Sequence, residues 1–270
     1  MKRTLIHPNL ADYPADLRPL LDGATLYDSS CSPEARVVYI DKEGGYYLKS
    51  APSGTLGREA EMTRFFHQKG LAAEVLFYGS YGSGIGEGDL QKDFLLTRRV
   101  PGEDCTHGDY LADPRRLCDL WAEILRSLHE VSFEGCPIPD HTARYLQTAE
   151  EGYRIGRYDA SLFPDNWGYA SAEEAIGVVR REGHLLRTDT LLHGDYCLPN
   201  VLLDNWQFAG LIDVGNGGVG DRHVDLFWGA WTLFFNLKTD AYKDRFFDAY
   251  GRDKIEPDLL RIVAAAEVFG

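Results

Sequence analysis

The sequence predicts an α+β fold of two lobes, a small antiparallel-sheet lobe over residues 1–98 and a larger, mostly helical lobe over residues 99–270. Three observations predict it. Up to about residue 98 the apolar residues alternate in a strand-like way and glycines punctuate the runs. After Pro101-Gly102 they recur instead at helical spacing. A strand-rich island at 190–213 interrupts the helices, and the residues that could carry chemistry collect there.

In chain order, residues 36–40 and 46–49 flank Asp41-Lys42-Glu43-Gly44-Gly45 as a β-hairpin. A helix follows at 57–68, with Met62, Phe65 and Phe66 on one side and Gly70 as its stop. Residues 75–81 and 93–98 read as a second hairpin around the glycine-rich tip 82–88. A short connector at 98–102 ends the first lobe. Asp113 and Pro114 form an N-cap and first-turn pair for a helix carrying Leu117, Leu120, Trp121, Ile124, Leu125 and Leu128. Ser171 and Glu174 have the spacing of a capping box for a helix reaching about residue 182. Three further helices are expected at 221–237, 240–250 (stopped by Gly251) and 257–269.

Composition narrows the partners. The 270 residues suffice for two ordinary lobes, and 44% hydrophobic with 26% charged residues describes a soluble globular chain. The net charge of −14 argues against a nucleic-acid partner and suits a cationic one. Cys31, Cys105, Cys118, Cys136 and Cys197 are odd in number and never spaced C-x-x-C, the pattern of reduced thiols rather than a disulfide framework or zinc site. The apolar stretch 226–237 is too short to span a bilayer, and the first residues lack the apolar run of a signal peptide. A cytoplasmic location with no membrane partner is expected, and the oligomeric state is left open.

The island contains His193-Gly194-Asp195-Tyr196-Cys197-Leu198-Pro199-Asn200, then Val201-Leu202-Leu203, a turn, and Gly210-Leu211-Ile212-Asp213. Asp195, Asn200 five residues later and Asp213 at the end of the next strand bring three oxygen-bearing side chains to one mouth. Magnesium takes hard oxygen ligands and keeps some waters, so Asn200 and Asp213 beside nucleotide phosphates suit it. Asp195 is then free to orient an acceptor hydroxyl and take its proton. Each element alone reads as a turn or cap, but the spacing H-G-D-x-x-x-x-N followed by an apolar-Asp pair resembles the kinase catalytic loop and its D-F-G metal ligand. A kinase also requires a strand lysine for the α- and β-phosphates and a helical acid to hold it. Lys49 and Glu59 fit, because Met62 and Phe66 lie on the Glu59 face of the 57–68 helix and turn that acid inward.

With Gly after His193, and Asp213-Val214-Gly215 in the D-F-G position, the chain is similar to the aminoglycoside phosphotransferase and choline kinase group. Residues 210–226 narrow this further. They resemble the signature G-x-I-D-x-G-R-x-G-x-A-D-R-x-x-D of the aminoglycoside 3'-phosphotransferases, and Ser32-Pro33, Leu128-His129, Cys136-Pro137, Asn166-Trp167, Phe246-Phe247, Tyr250-Gly251 and Glu267-Val268-Phe269 agree in order. The resemblance runs from about residue 30 to the C-terminus. It implies a protein-kinase-like fold and transfer of the γ-phosphate of ATP to a hydroxyl of a cationic aminoglycoside, the 3'-hydroxyl in an enzyme of kanamycin-kinase type, with antibiotic resistance as the result.

By the same resemblance, Ser32 sits in the loop over the phosphates, and Arg98 to Val100 form the connector whose backbone meets adenine. Asp195 is the catalytic aspartate, Asn200 and Asp213 hold two magnesium ions, and Asp165 and Glu267 bind the antibiotic. Asp225 is implied to brace the catalytic loop through its backbone. The signature is departed from at Asn216, where it has arginine, at Gly220 and at Ala266. Trp231 and Phe235 stand where the family has polar pocket positions. The phosphoryl-transfer half is therefore complete and the acceptor half partly rewritten. A kinase of choline, a sugar or another small alcohol is the alternative reading, and a non-catalytic pseudokinase a third.

Other signals are read as structural. The tip 82–88 does not fit G-x-G-x-x-G, and no G-x-x-x-x-G-K-[ST] occurs. His129 reads as a hydrogen-bonding residue and Cys197 as a packing residue. Phe227, Trp228, Trp231, Phe234 and Phe235 read as mainly core, with one or two facing substrate.

Overall fold

The structure, a computed structural model, describes residues 3–82, 91–158 and 168–270. Its elements run β1 (Thr4–Ile6), α1 (Arg18–Leu21), β2 (Thr25–Asp28), β3 (Arg36–Asp41), β4 (Tyr46–Pro52), α2 (Gly57–Gln68), β5 (Val75–Tyr81) and β6 (Lys92–Arg98). Then come β7 (Glu103–Asp104), α3 (Gly108–Leu111), α4 (Pro114–His129), α5 (His141–Arg154), α6 (Ala172–Glu182), β8 (Thr190–Leu192), β9 (Val201–Asp204) and β10 (Gln207–Leu211). β11 (Gly218–Gly220), α7 (His223–Leu237), α8 (Lys243–Tyr250) and α9 (Pro257–Glu267) complete the series. Two compact units result. One comprises the residues up to Asp104 together with Leu202–Gly215, the other Cys105–Val201 and Asn216–Gly270. The connector beyond residue 98 and the β9–β10 hairpin thus group with the sheet.

The first unit is built on a six-stranded sheet in the order β1-β2-β3-β4-β6-β5, antiparallel at every pairing. Period-two alternation sends Val38 and Ile40 of β3, Tyr46 and Leu48 of β4, and Phe94 and Leu96 of β6 into one core with Tyr13, Leu17, Leu21 and Leu26. The opposite face carries Ala51 and Leu95, which pack with Leu56 and Ala60 at the start of α2. Lys49, two residues before Ala51, shares that face. The hairpins at β3–β4 and β5–β6 lie where alternation places them, and α2 has the expected bounds. The strands β1 and β2 have no sequence signal of comparable strength, since β1 is three residues long and mostly exposed.

In the second unit, Asp113 caps α4 by accepting from the Arg116 N–H at 3.2 Å, and the stripe Leu117, Trp121, Leu125 and Leu128 is buried. Ser171 accepts from the Glu174 N–H at 3.1 Å, and Glu174 reaches back to the Ala170 N–H at 3.0 Å, a capping box displaced by one residue. The helix α5 was not expected. Its buried positions include His141, Thr142, Ala149 and Gly152, too polar and too small to show as an apolar stripe. The short ribbon β8–β11 pairs Thr190–Leu192 with Gly218–Gly220 and delivers residue 193 to the head of the 193–200 loop. Of the five aromatics expected to be mainly core, only Phe227 is buried. Trp228 and Trp231 are half-buried, and Phe234 and Phe235 are exposed, because they lie on the solvent-facing side of α7. All five cysteines are free thiols. Among the described residues no helix is long and apolar enough to cross a membrane.

Candidate active site

In the first unit Lys49, Glu59 and Asp213 form one cluster. The Lys49 ammonium lies 2.8 and 3.0 Å from the two Glu59 carboxylate oxygens and 2.7 Å from Asp213 Oδ1. Burial opposes the charge on Lys49, yet the two carboxylates outweigh it and raise its pKa. Burial likewise raises Glu59, against the pull of Lys49, and the Asp213 charge adds to the rise. Two acids therefore share one cation, a surplus of negative charge that a second cation would relieve. Asp213 follows the hairpin strand β10 in a left-handed conformation, φ 55°, which is sparsely populated for a residue with a Cβ. Its side chain is 50% exposed, so the oxygen turned away from Lys49 remains accessible.

The α2 helix that carries Glu59 is fixed at its start by Asp93, a residue sequence reasoning did not single out. This buried carboxylate accepts from the Gly54 and Leu56 N–H groups at 3.0 Å each and from the hydroxyls of Tyr78 and Ser80. Burial would raise its pKa, but these donors hold it below the ordinary value. Ser32 is exposed in the loop between β2 and β3, where its hydroxyl hydrogen-bonds the Glu34 carboxylate. At the connector, the Arg98 N–H donates to Glu74 O and the Arg99 N–H to Gly45 O, both at 3.0 Å. The Arg98 guanidinium is paired with Glu74, and Val100 is buried.

In the second unit Asp195 and Asn200 are brought together. Asn200 Nδ2 donates to the Asp195 carbonyl at 3.0 Å and to Asp195 Oδ2 at 2.9 Å, which turns the amide oxygen of Asn200 away as a hard donor. The loop backbone is pinned by Asp225, whose two oxygens accept from the His193 and Gly194 N–H groups at 2.8 Å each. A hydrogen-bonded chain stands behind it. Arg222 donates to the Tyr250 hydroxyl at 3.4 Å, and Tyr250 lies 2.8 Å from His129 Nδ1, with His129 Nε2 3.2 Å from Asp225. Burial keeps His129 neutral by lowering its pKa, and pushes Tyr250 up to about 12. With the Tyr250 hydroxyl donating to Nδ1, the single N–H of the neutral imidazole sits on Nε2 and points at Asp225. Burial would raise the Asp225 pKa, but His129 and the backbone donors hold it below the carboxylate range. Gly194 is obligatory at its place, since φ is 82° and a Cβ would overlap the Asn216 carbonyl. Tyr196 is sunk beneath the loop, stacked on Trp121 with ring centroids 4.0 Å apart and donating to the Trp121 carbonyl at 2.9 Å.

Glu267, at the end of α9, is half-buried in the same unit. Its Oε1 accepts from the Tyr145 hydroxyl and from Trp228 Nε1, each at 2.9 Å. Burial raises its pKa to about 7 against these hydrogen bonds, and the Asp195 charge adds to the rise. Tyr145 is a functional candidate that the sequence did not disclose, and Trp228 was singled out only as one of five aromatics read as mainly core. Trp228 begins an aromatic stripe at i, i+3 and i+7 along α7. It meets Trp231 edge-on at 5.4 Å, and Trp231 stacks on Phe235 at 4.9 Å and 12°. Asp165, with Asn166-Trp167, lies outside the described residues.

Comparison with known proteins follows the same lines. Residues 31–262 match the model of a phosphotransferase enzyme family. The chain is 53% identical to a probable aminoglycoside 3'-phosphotransferase of Lactococcus lactis subsp. lactis (strain IL1403) over 97% of each chain. It is 27% identical to an aminoglycoside 3'-phosphotransferase of Niallia circulans, covering 96% of this chain and 97% of that one. In fold it is similar to the crystal structure of an aminoglycoside-3'-phosphotransferase of type VIII, with a TM-score of 0.72 at 23% identity, over 98% of this chain and 100% of the other.

Proposed function

The chain belongs to this phosphotransferase enzyme family, and from that premise we propose that it transfers the γ-phosphate of ATP to a hydroxyl of an aminoglycoside antibiotic, the 3'-hydroxyl named for its relatives. The observation that carries the reading is the Asp195 carboxylate, held by Asn200 at 2.9 Å on a loop whose backbone Asp225 pins at two points. Such a carboxylate orients the acceptor hydroxyl for in-line attack and takes its proton as the bond to phosphorus forms. Phosphorylating the drug would block its own target contacts and so confer resistance.

Functionally, residues 1–98 are assigned to the nucleotide and residues 99–270 to catalysis and acceptor binding. Lys49, kept charged and aimed by Glu59, grips the α- and β-phosphates. Ser32 belongs to the loop over the phosphates. The Arg98–Val100 backbone receives adenine, with Val100 supplying the N–H because those of Arg98 and Arg99 are already committed. The accessible oxygen of Asp213 and the outward amide oxygen of Asn200 are the hard donors that fit magnesium. When bound, the metal neutralises charge on the phosphates. Asp165 and Glu267 are the acids assigned to the ammonium groups of the antibiotic.

Two expectations concern the acceptor. Glu267 is neutral below about pH 7 and charged above it. The ratio of acceptor KM in Glu267→Gln to that in the native protein is therefore expected near one at about pH 6. It should be several-fold by about pH 8, as the charged fraction rises from about a tenth to about nine-tenths. A ratio constant with pH would remove Glu267 from the ammonium site. Trp231 and Phe235 offer flat apolar faces to the rings of the acceptor, so Trp231→Ala is expected to raise acceptor KM by about fivefold to tenfold with the KM for ATP unaltered. Steady-state kinetics with each substrate varied in turn checks this.

The reading is tested by ADP release from magnesium-ATP with kanamycin, neomycin, choline or no acceptor. Stimulation by the aminoglycosides is expected. Stimulation by choline alone would transfer the chain to the metabolite kinases, and hydrolysis indifferent to every acceptor would refute the acceptor assignment.

A further inference from the structure

One helix holds the catalytic loop at two places. Asp225 of α7 takes the N–H groups of residues 193 and 194, and Thr232, seven residues and two turns further along the same face, takes the N–H of Leu198 at 3.1 Å. Thr232 is 1% exposed. Its Oγ1 also accepts from Asn236 Nδ2 at 3.1 Å, and the same amide donates to the Thr232 carbonyl at 2.8 Å. Both acceptor positions of the hydroxyl are thereby filled by N–H donors, which fixes the side chain against the loop. The Leu198 N–H it holds lies in the short backbone stretch between Asp195 and Asn200, where the Asn200 N–H donates to the Cys197 carbonyl at 2.9 Å.

Asn236 gives to the Thr232 hydroxyl, and the same hydroxyl takes the Leu198 N–H. The Cys197 N–H donates to the Asp195 carbonyl at 2.8 Å and closes the turn that carries the Asp195 carboxylate. Asn200 approaches the same carboxylate on Oδ2. We infer that Thr232, backed by Asn236, is a positioning residue for Asp195, acting through the Leu198 backbone. The inference rests on the proposed role of Asp195 and extends it to a second layer of residues.

The test is a double-substitution cycle. Thr232→Val keeps the shape and removes the hydroxyl. It is expected to lower kcat on the order of tenfold to a hundredfold, the cost of a misplaced catalytic group, while the KM for ATP and for acceptor each move by less than about twofold. Thr232→Ser restores the hydroxyl and should recover most of kcat. In an Asp195→Asn background there is no carboxylate to position, so the valine substitution should cost less than about threefold. Equal losses in both backgrounds, or failure of serine to recover kcat at an unaltered melting temperature, would overturn the inference. Should Thr232→Val not fold, Asn236→Ala gives the same comparison, with a loss of kcat expected in the native background and less than about threefold in the Asp195→Asn background, equal losses in both contradicting it. Turnover is followed as ADP release with kanamycin and with water as acceptor. Absence of antibiotic turnover then counts against the proposed substrate, while the Thr232 cycle is still scored on hydrolysis.

Discussion

Replacement of Asp195 by asparagine is expected to lower kcat by about 10²- to 10⁴-fold, the range for losing a positioned proton acceptor, with the KM for ATP within about twofold of native. The split follows from where the groups lie. Lys49, Glu59 and Asp213 form their cluster in the first unit without any contribution from Asp195. The amide keeps the size of the carboxylate and can still present an oxygen to Asn200, so the loop should hold its place and only the proton acceptor should be lost. Steady-state kinetics together with nucleotide binding by calorimetry checks both halves. A variant that loses ATP affinity in step with kcat would mean that Asp195 belongs to the nucleotide site instead.

Asp225→Ala is the second large effect, and it acts on folding. The side chain is fully buried and receives two backbone N–H groups and one imidazole N–H. Removing it leaves three buried donors without an acceptor, at about 1–3 kcal/mol each, so a loss of about 3–5 kcal/mol is expected. For a chain of this size that is a fall in Tm on the order of 10 °C, read by differential scanning calorimetry. The sign of the pH dependence is also fixed. The folded pKa lies below the unfolded value, so the stabilisation is complete above about pH 4 and is lost as pH falls through the depressed folded value. A melt of Asp225→Ala indistinguishable from native would contradict the bracing role. So would an active variant with a disordered 193–200 loop.

The parts of the site that the sequence made legible are those in which chemistry dictates spacing. His193-Gly194-Asp195 with Asn200 is one turn of chain and had to be local. Lys49 and Glu59 were reachable because two periodicities, two on the strand and three to four on the helix, aim both at one place. The parts that stayed hidden depend on partners far apart in sequence. Tyr145 and Glu267 are separated by 122 residues, and α5, which brings Tyr145, has no apolar stripe to announce it. Asp93 acts through the register of the β5–β6 hairpin and the loop before α2, which no local pattern records. The aromatics of α7 were misjudged for a related reason. Hydrophobicity marks residues that can be buried, and only contacts decide whether they are; Phe234 and Phe235 are left facing solvent. Thr232 was overlooked among those aromatics, although its spacing from Asp225 was in plain view.

The central claim is that Asp195 directs the γ-phosphate to the 3'-hydroxyl of an aminoglycoside. It is tested most directly by ADP release with magnesium-ATP and a kanamycin, compared with the 3'-deoxy analogue of the same antibiotic. The account predicts turnover with the first and none above background with the second, both compounds binding at the same acid-lined site. Equal turnover of the two would contradict it and would move the acceptor to another hydroxyl.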